Sequence, residues 1–169
     1  MAGRQHILVA IDDFPMTQHL EDCLRKTVQD PNAVTVHLFH ALGPLPPQLL
    51  ESRGSEDPAK EKKVEAEQVQ QQESWFSRAR AEAEPLLQTA TARLRALNLP
   101  DTEIKSQFFL LNHREDLVAE ILKAAQDNDC ATIIVGHKSY PWLREQFHAH
   151  TDVQLKSASP DVTVCAVNA

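Results

Sequence analysis

The chain alternates short apolar runs with longer stretches in which apolar residues return every three or four positions. His6-Ile-Leu-Val-Ala-Ile-Asp12 is the first apolar run. An unbroken run of this kind, closed by turn residues, predicts a strand buried on both faces. Met16, Leu20, Cys23, Leu24, Thr27 and Val28 then recur at helical spacing, with Gln18, Glu21, Asp22 and Lys26 on the face expected to meet water. Asp30-Pro31-Asn32 ends that helix, and Val34 to Leu42 predicts a second strand. Strand, helix, strand predicts a parallel pair joined by a right-handed crossover.

From Gly43 to about Gln68 the pattern lapses. Pro44, Pro46, Pro47 and Pro58 stand among Glu, Lys, Ser and Asp, so this stretch is expected to be a polar surface excursion. Periodicity returns from Trp75 to Leu97 through Phe76, Ala79, Ala83, Leu87, Ala90 and Leu94, a helix that Pro85 should kink or deprive of a hydrogen bond. Glu103 to Leu111 predicts a third strand, and Leu117, Val118, Ile121, Leu122 and Ala125 the buried stripe of the next helix. Ile133-Ile-Val-Gly136 is a fourth strand that opens into a long polar loop reaching Thr151. A short helical segment toward Lys156 follows, with Val153 and Leu155 as its apolar residues. Val162 to Val167 closes the chain as a fifth strand after Ser159-Pro160.

Five strands alternating with four helical segments predict one α/β domain over residues 1–169, a five-stranded parallel doubly wound sheet with helices on both faces. The flavodoxin-like strand order 3-2-1-4-5 is expected. In such sheets the crevice beyond the carboxyl ends of the strands holds ligands. Asp12, Ala41, Asn112, His113 and Gly136 lie just past those ends in the predicted scheme and line one crevice.

A length of 169 residues suits a single domain with its own core. The net charge of -7 argues against a general nucleic-acid binder, whose affinity would come from Lys and Arg set against phosphates, and leaves room for a local basic patch. No apolar run reaches the roughly 20 residues of a membrane span, and Met1 to His6 lack the apolar core of a signal peptide, so a cytoplasmic protein is expected. Cys23, Cys130 and Cys165 are odd in number and far apart without a Cys-x-x-Cys spacing, which predicts separate, buried or half-buried thiols.

Several segments together resemble the universal stress protein family over nearly the whole chain outside 43–68. They are Ile7-Leu-Val-Ala-Ile-Asp12, Leu38-Phe-His40, the run from Ile121-Leu-Lys-Ala-Ala125 to Ile133-Ile-Val-Gly136, and the Ser159-Pro160 break before the apolar terminal strand. The resemblance implies a stress-response protein that forms a homodimer. In ATP-binding members the loop after strand four reads Gly-x2-Gly-x9-Gly-[Ser/Thr], and its backbone amides wrap the phosphates. With Pro160 setting the register, those positions here are Gly136, Ser139, Ala149 and His150. One glycine remains. Added Cβ atoms crowd a phosphate channel and disfavour left-handed backbone, so the resemblance implies the fold more strongly than it implies ATP binding.

The expected protein is therefore a non-catalytic stress-response protein, a homodimer or partner-binding module, with no cofactor. The alternative is a small-molecule binding or weakly hydrolytic protein that retains ATP or AMP through Asp12, Ala41 and Gly136, with Lys138 and His150 serving the phosphates. By the resemblance Asp12 meets the adenosine part and Ala41 the adenine; Asp12 as a plain helix cap stays equally open. Lys138, Arg144, His148 and His150 form either a rebuilt anion site or a solvated surface. His113, His137, His148 and His150 are set aside as a metal site, since no carboxylate or thiolate joins them by spacing. His37 and His40 are expected as packed core or crevice histidines on opposite faces of strand two, being three apart on a period of two. Trp142, Tyr140 and Phe147 are expected to cover the sheet end. No P-loop, Gly-x-Gly-x-x-Gly, His-Glu-x-x-His or Ser-His-Asp arrangement supports an enzyme.

Overall fold

Five parallel strands in the order β3-β2-β1-β4-β5 carry the molecule. The computed structural model describes residues 4–11, 18–51, 54, 56–97, 103–113, 116–136, 155–156, 158 and 161–167. The strands are β1 (Gln5–Ile11), β2 (Val34–Leu42), β3 (Glu103–Leu110), β4 (Thr132–Gly136) and β5 (Thr163–Val167). Between them run α1 (Gln18–Thr27), α2 (Pro47–Leu50), α3 (Pro58–Arg95) and α4 (Leu117–Asp127). The predicted strand order and parallel pairing are those observed.

Side chains alternate across a strand, so one sheet supplies two cores. Leu8, Ala10, Phe39, Ile133 and Val135 point to the face covered by Leu117, Ile121, Ala124 and Ala125 of α4. Leu155, from the segment before β5, is fully buried in the same cluster. Ile7, Val9, Val36, Leu38 and Ile134 point the other way, under Leu20 and Leu24 of α1 and Leu87, Ala90 and Leu94 of α3. Covering the central strands on both faces is why their sequences are continuous rather than alternating. Each fully buried Leu or Ile contributes about 1.5–3 kcal/mol by leaving water.

Three sequence expectations are corrected. The excursion expected over 43–68 is helical in part, because α3 begins at Pro58 rather than near Trp75. Composition alone predicted too little apolar burial there to order the stretch; residues 58–63 are exposed, whereas Leu45 is buried. What forms the helix instead is local chemistry. Asp57 caps it by accepting from the Ala59 amide at 3.1 Å, Pro58 occupies the first turn, and Lys, Glu, Gln and Ala are good helix formers. Gln68 and Gln72 then donate to α2, with Nε2 of each reaching the Leu49 carbonyl at 3.0 and 2.6 Å. Amides thus do the docking that an apolar stripe would normally do.

Glu21, expected in water, is buried and pairs with Arg93 of α3 at 2.5 Å. Its helical position faces the neighbouring helix, and periodicity cannot see a partner 72 positions away. Cys23 and Cys165, expected as separate thiols, are joined as a disulfide across a sequence separation of 142. The packing of α1 against β5 brings them together. Cys130 alone is a free, buried thiol.

Pro85 lies inside α3 on its exposed side, where the carbonyl it leaves without an amide partner can meet water. Among the described residues no helix is long and apolar enough to cross a membrane.

Candidate functional site

The carboxyl edge of the sheet is held in place by a histidine. Nδ1 of His40, near the end of β2, lies 3.0 Å from the carbonyl oxygen of Ile11, the last residue of β1. A carbonyl only accepts, so Nδ1 carries the proton. His40 is buried, and a buried donor left without its acceptor costs about 1–3 kcal/mol, so this contact anchors the point from which the chain leaves β1 toward Asp12. Phe108 of β3 meets the imidazole edge-on, with centroids 6.0 Å apart and planes at 90°. The guanidinium of Arg80 in α3 lies 5.4 Å from the Phe108 centroid, a cation–π contact. Imidazole, phenyl and guanidinium therefore form one line of contacts tying β1, β2, β3 and α3 together near the carboxyl end of the sheet.

On the opposite face, Phe39 of β2 stacks on Phe109 of β3 at 4.8 Å, beside buried Ala41, Leu111 and Leu117. The Leu45 amide donates to the Leu111 carbonyl at 3.2 Å, which closes the segment after β2 onto the end of β3. Asn112 and His113 are exposed beyond it, and the Asp116 amide donates to the His113 carbonyl at 3.2 Å in the turn that enters α4.

Ala41 does not follow β2 but belongs to it, opposite Phe109 in β3, with its side chain buried. Gly136 ends β4 opposite Val167 of β5, at the carboxyl edge as expected. Asp12, Lys138, Ser139, Ala149 and His150 lie outside the described residues, as do Arg144, His148, Tyr140, Trp142 and Phe147. The structure thus brings Ile11, His40, Ala41, Leu111 and Gly136 to one end of the sheet. Sequence reasoning placed His40 only as a packed core or crevice histidine; its contacts with the Ile11 carbonyl, Phe108 and, through Phe108, Arg80 are the part that it missed. The single signal available was a histidine at the apolar end of a strand.

His37 and His40 do sit on opposite faces, His37 with Phe39 and His40 toward α3. His37 also makes a pair that spacing did not predict. Its Nε2 is 3.1 Å from Nδ1 of His6, with the rings stacked at 5.4 Å, near the amino ends of β1 and β2. Burial lowers the His37 pKa; His6 and Lys105 lower it further and Glu103 opposes them. At 3.1 Å one nitrogen must donate and the other accept, so the pair holds at most one proton between the facing atoms. No group of three or more metal-binding side chains occurs among the described residues.

Comparison with solved structures agrees with this architecture. The hypothetical protein MJ0577 is 16% identical, with a TM-score of 0.62 over 99% of this chain and 98% of that one. A universal stress family protein from Burkholderia pseudomallei is 17% identical, with a TM-score of 0.53 over 98% and 96%. The universal stress protein of Archaeoglobus fulgidus in complex with dAMP is 16% identical, with a TM-score of 0.50 over 96% and 97%. At these identities the likeness speaks for the fold alone. No curated protein sequence matches the chain. The profile of the universal stress protein family matches residues 3–166. With the strand order and that match in agreement over almost its whole length, the chain belongs to the universal stress protein family.

Proposed function

We propose that this protein is a non-catalytic stress-response protein that works as a homodimer or partner-binding module and does not bind ATP in the manner of the loop-bearing family members. The observation that carries this is the sequence after β4. Of the three glycines in the family's phosphate loop only Gly136 remains, and Ser139 and Ala149 bring side chains where bare backbone would approach an anion. The homodimer has a physical motive in β5, which pairs with β4 on one side and offers an edge on the other.

A second reading keeps a nucleotide monophosphate in the crevice. It is favoured by the dAMP complex of the Archaeoglobus fulgidus relative, because one phosphate needs less of the loop than three do. Isothermal titration with ATP and AMP decides between them. The first reading expects no heat from ATP at micromolar concentrations, and micromolar ATP binding would overturn it. Heat from AMP alone, lost in Asp12→Ala, would establish the second. Sedimentation of the purified chain as a monomer at micromolar concentration would remove the homodimer from the reading.

A further inference from the structure

We propose that Cys23 and Cys165 form a reversible thiol–disulfide site that exchanges with small disulfides of the glutathione class. This site does not rest on the function proposed above. The two residues sit on α1 and on the edge strand β5, and their sulfurs are bonded. Three features separate them from a structural staple.

The first is access. Both residues are half-buried and both line one open groove of about 430 Å³, with His19, Asp22, Lys26, Thr27 and Val167 around it. A structural disulfide inside a core offers no such approach to an incoming sulfur, whereas exchange requires one. The groove carries an ammonium at Lys26, an imidazole at His19 and a carboxylate at Asp22. The ammonium of Lys26 gives the carboxylates of a glutathione-class reagent a charge partner in the groove, against the opposing carboxylate of Asp22.

The second is backbone spacing. The Cα atoms are 7.3 Å apart, beyond the span of about 4.4–6.8 Å usual for a disulfide, so this backbone seats two separate thiols and closing the bond calls for a small approach of α1 and β5. Opening the bond then requires no rebuilding of the sheet, because β5 keeps its pairing with β4 from Thr163 to Val167.

The third is the contrast with Cys130. That thiol is buried, and burial first, then the Asp129 carboxylate, push its pKa up to about 11. It stays protonated and unreactive, so the chain holds two exchangeable sulfurs and one inert one.

The chemistry balances without a metal. The thiolate of one cysteine attacks a sulfur of the small disulfide, giving a mixed disulfide and releasing one small thiolate. That thiolate takes up the proton the attacking cysteine gave up. The second cysteine, as its thiolate, attacks the protein-bound sulfur, closes the Cys23–Cys165 bond and releases the second small thiol with the second proton. Two protein thiols are oxidised and one small disulfide is reduced. The reverse sequence, driven by the small thiol, unties α1 from the edge strand.

The test is equilibration of the native full chain in a series of reduced and oxidised glutathione buffers, followed by acid quench, unfolding, alkylation and intact mass measurement. The expected result is interconversion between a form alkylated at all three cysteines and a form alkylated at Cys130 alone, in both directions. Cys130→Ser should leave the midpoint unchanged, and Cys23→Ser and Cys165→Ser should each capture one glutathione on the remaining groove cysteine. The proposal is overturned if oxidising buffer gives only glutathione adducts, if the bond resists the reducing buffers until the protein is unfolded, or if Cys130→Ser abolishes the conversion.

Discussion

Replacing Arg93 by Met should destabilise the protein through a residue it leaves untouched, Glu21. The Glu21 side chain is only 8% exposed, while that of Arg93 is 37% exposed, and the two meet at 2.5 Å. Met keeps much of the apolar stem that Arg lays along α3, so the substitution removes mainly charge and hydrogen bonding. Stripping a fully buried ion pair of one partner costs about 3–5 kcal/mol, because the remaining charge stays uncompensated. Water reaches the Arg93 end, and exposed pairs are worth only about 0–1 kcal/mol. The geometry lies between these limits, and a loss of about 1–3 kcal/mol is expected. Urea unfolding followed by circular dichroism reads this directly: with a slope of about 2 kcal/mol per molar, the midpoint falls by roughly 0.5–1.5 M. The double variant Glu21→Leu with Arg93→Met should recover most of the loss, since an apolar pair of similar volume replaces a buried ion pair at little cost. If Arg93→Met unfolds at the wild-type midpoint, or the double variant is no more stable than that single one, the reasoning about Glu21 fails.

Other expectations follow from the same structure. Ile121→Ala, in the centre of the α4 core, should cost about 2–5 kcal/mol in the same assay, whereas Val69→Ala, on the exposed side of α3, should stay within about 0.5 kcal/mol. Stability should fall with acid in a way traceable to His37. Its pKa is lowered in the folded state by burial, then by His6 and Lys105 against Glu103, so between the folded pKa and the ordinary value of 6.5 the unfolded chain binds the proton and the folded chain does not. The contribution is therefore present above that ordinary value and is lost as pH drops below it toward the folded pKa. His37→Gln should flatten the unfolding midpoint between pH 7 and 5, and an unchanged slope would remove His37 from the account.

The architecture was largely legible in the chain. Apolar runs such as Ile7 to Ile11 and Ile133 to Val135 are continuous because both faces are covered, and Gly and Pro mark their ends. The same logic put His37 and His40 on opposite faces, since side-chain alternation is local and needs no knowledge of what lies across the sheet. The helix from Pro58 was harder. Its stability comes from a cap, from propensity and from the amides of Gln68 and Gln72 bonded to α2, none of which leaves an apolar stripe to read.

The features that tertiary structure decided are those that join residues far apart along the chain. Gly136 and its altered successors are laid on a loop pattern through the family resemblance, with Pro160 setting the register. That His40 would hold the Ile11 carbonyl, that Glu21 would find Arg93, and that Cys23 would meet Cys165 depended on how α1, α3 and β5 pack on the sheet. Periodicity is a property of neighbours three or four residues away and reports which face is apolar. A hydrogen bond, an ion pair or a disulfide is a property of two positions whose distance is set only once the sheet order β3-β2-β1-β4-β5 has closed around them.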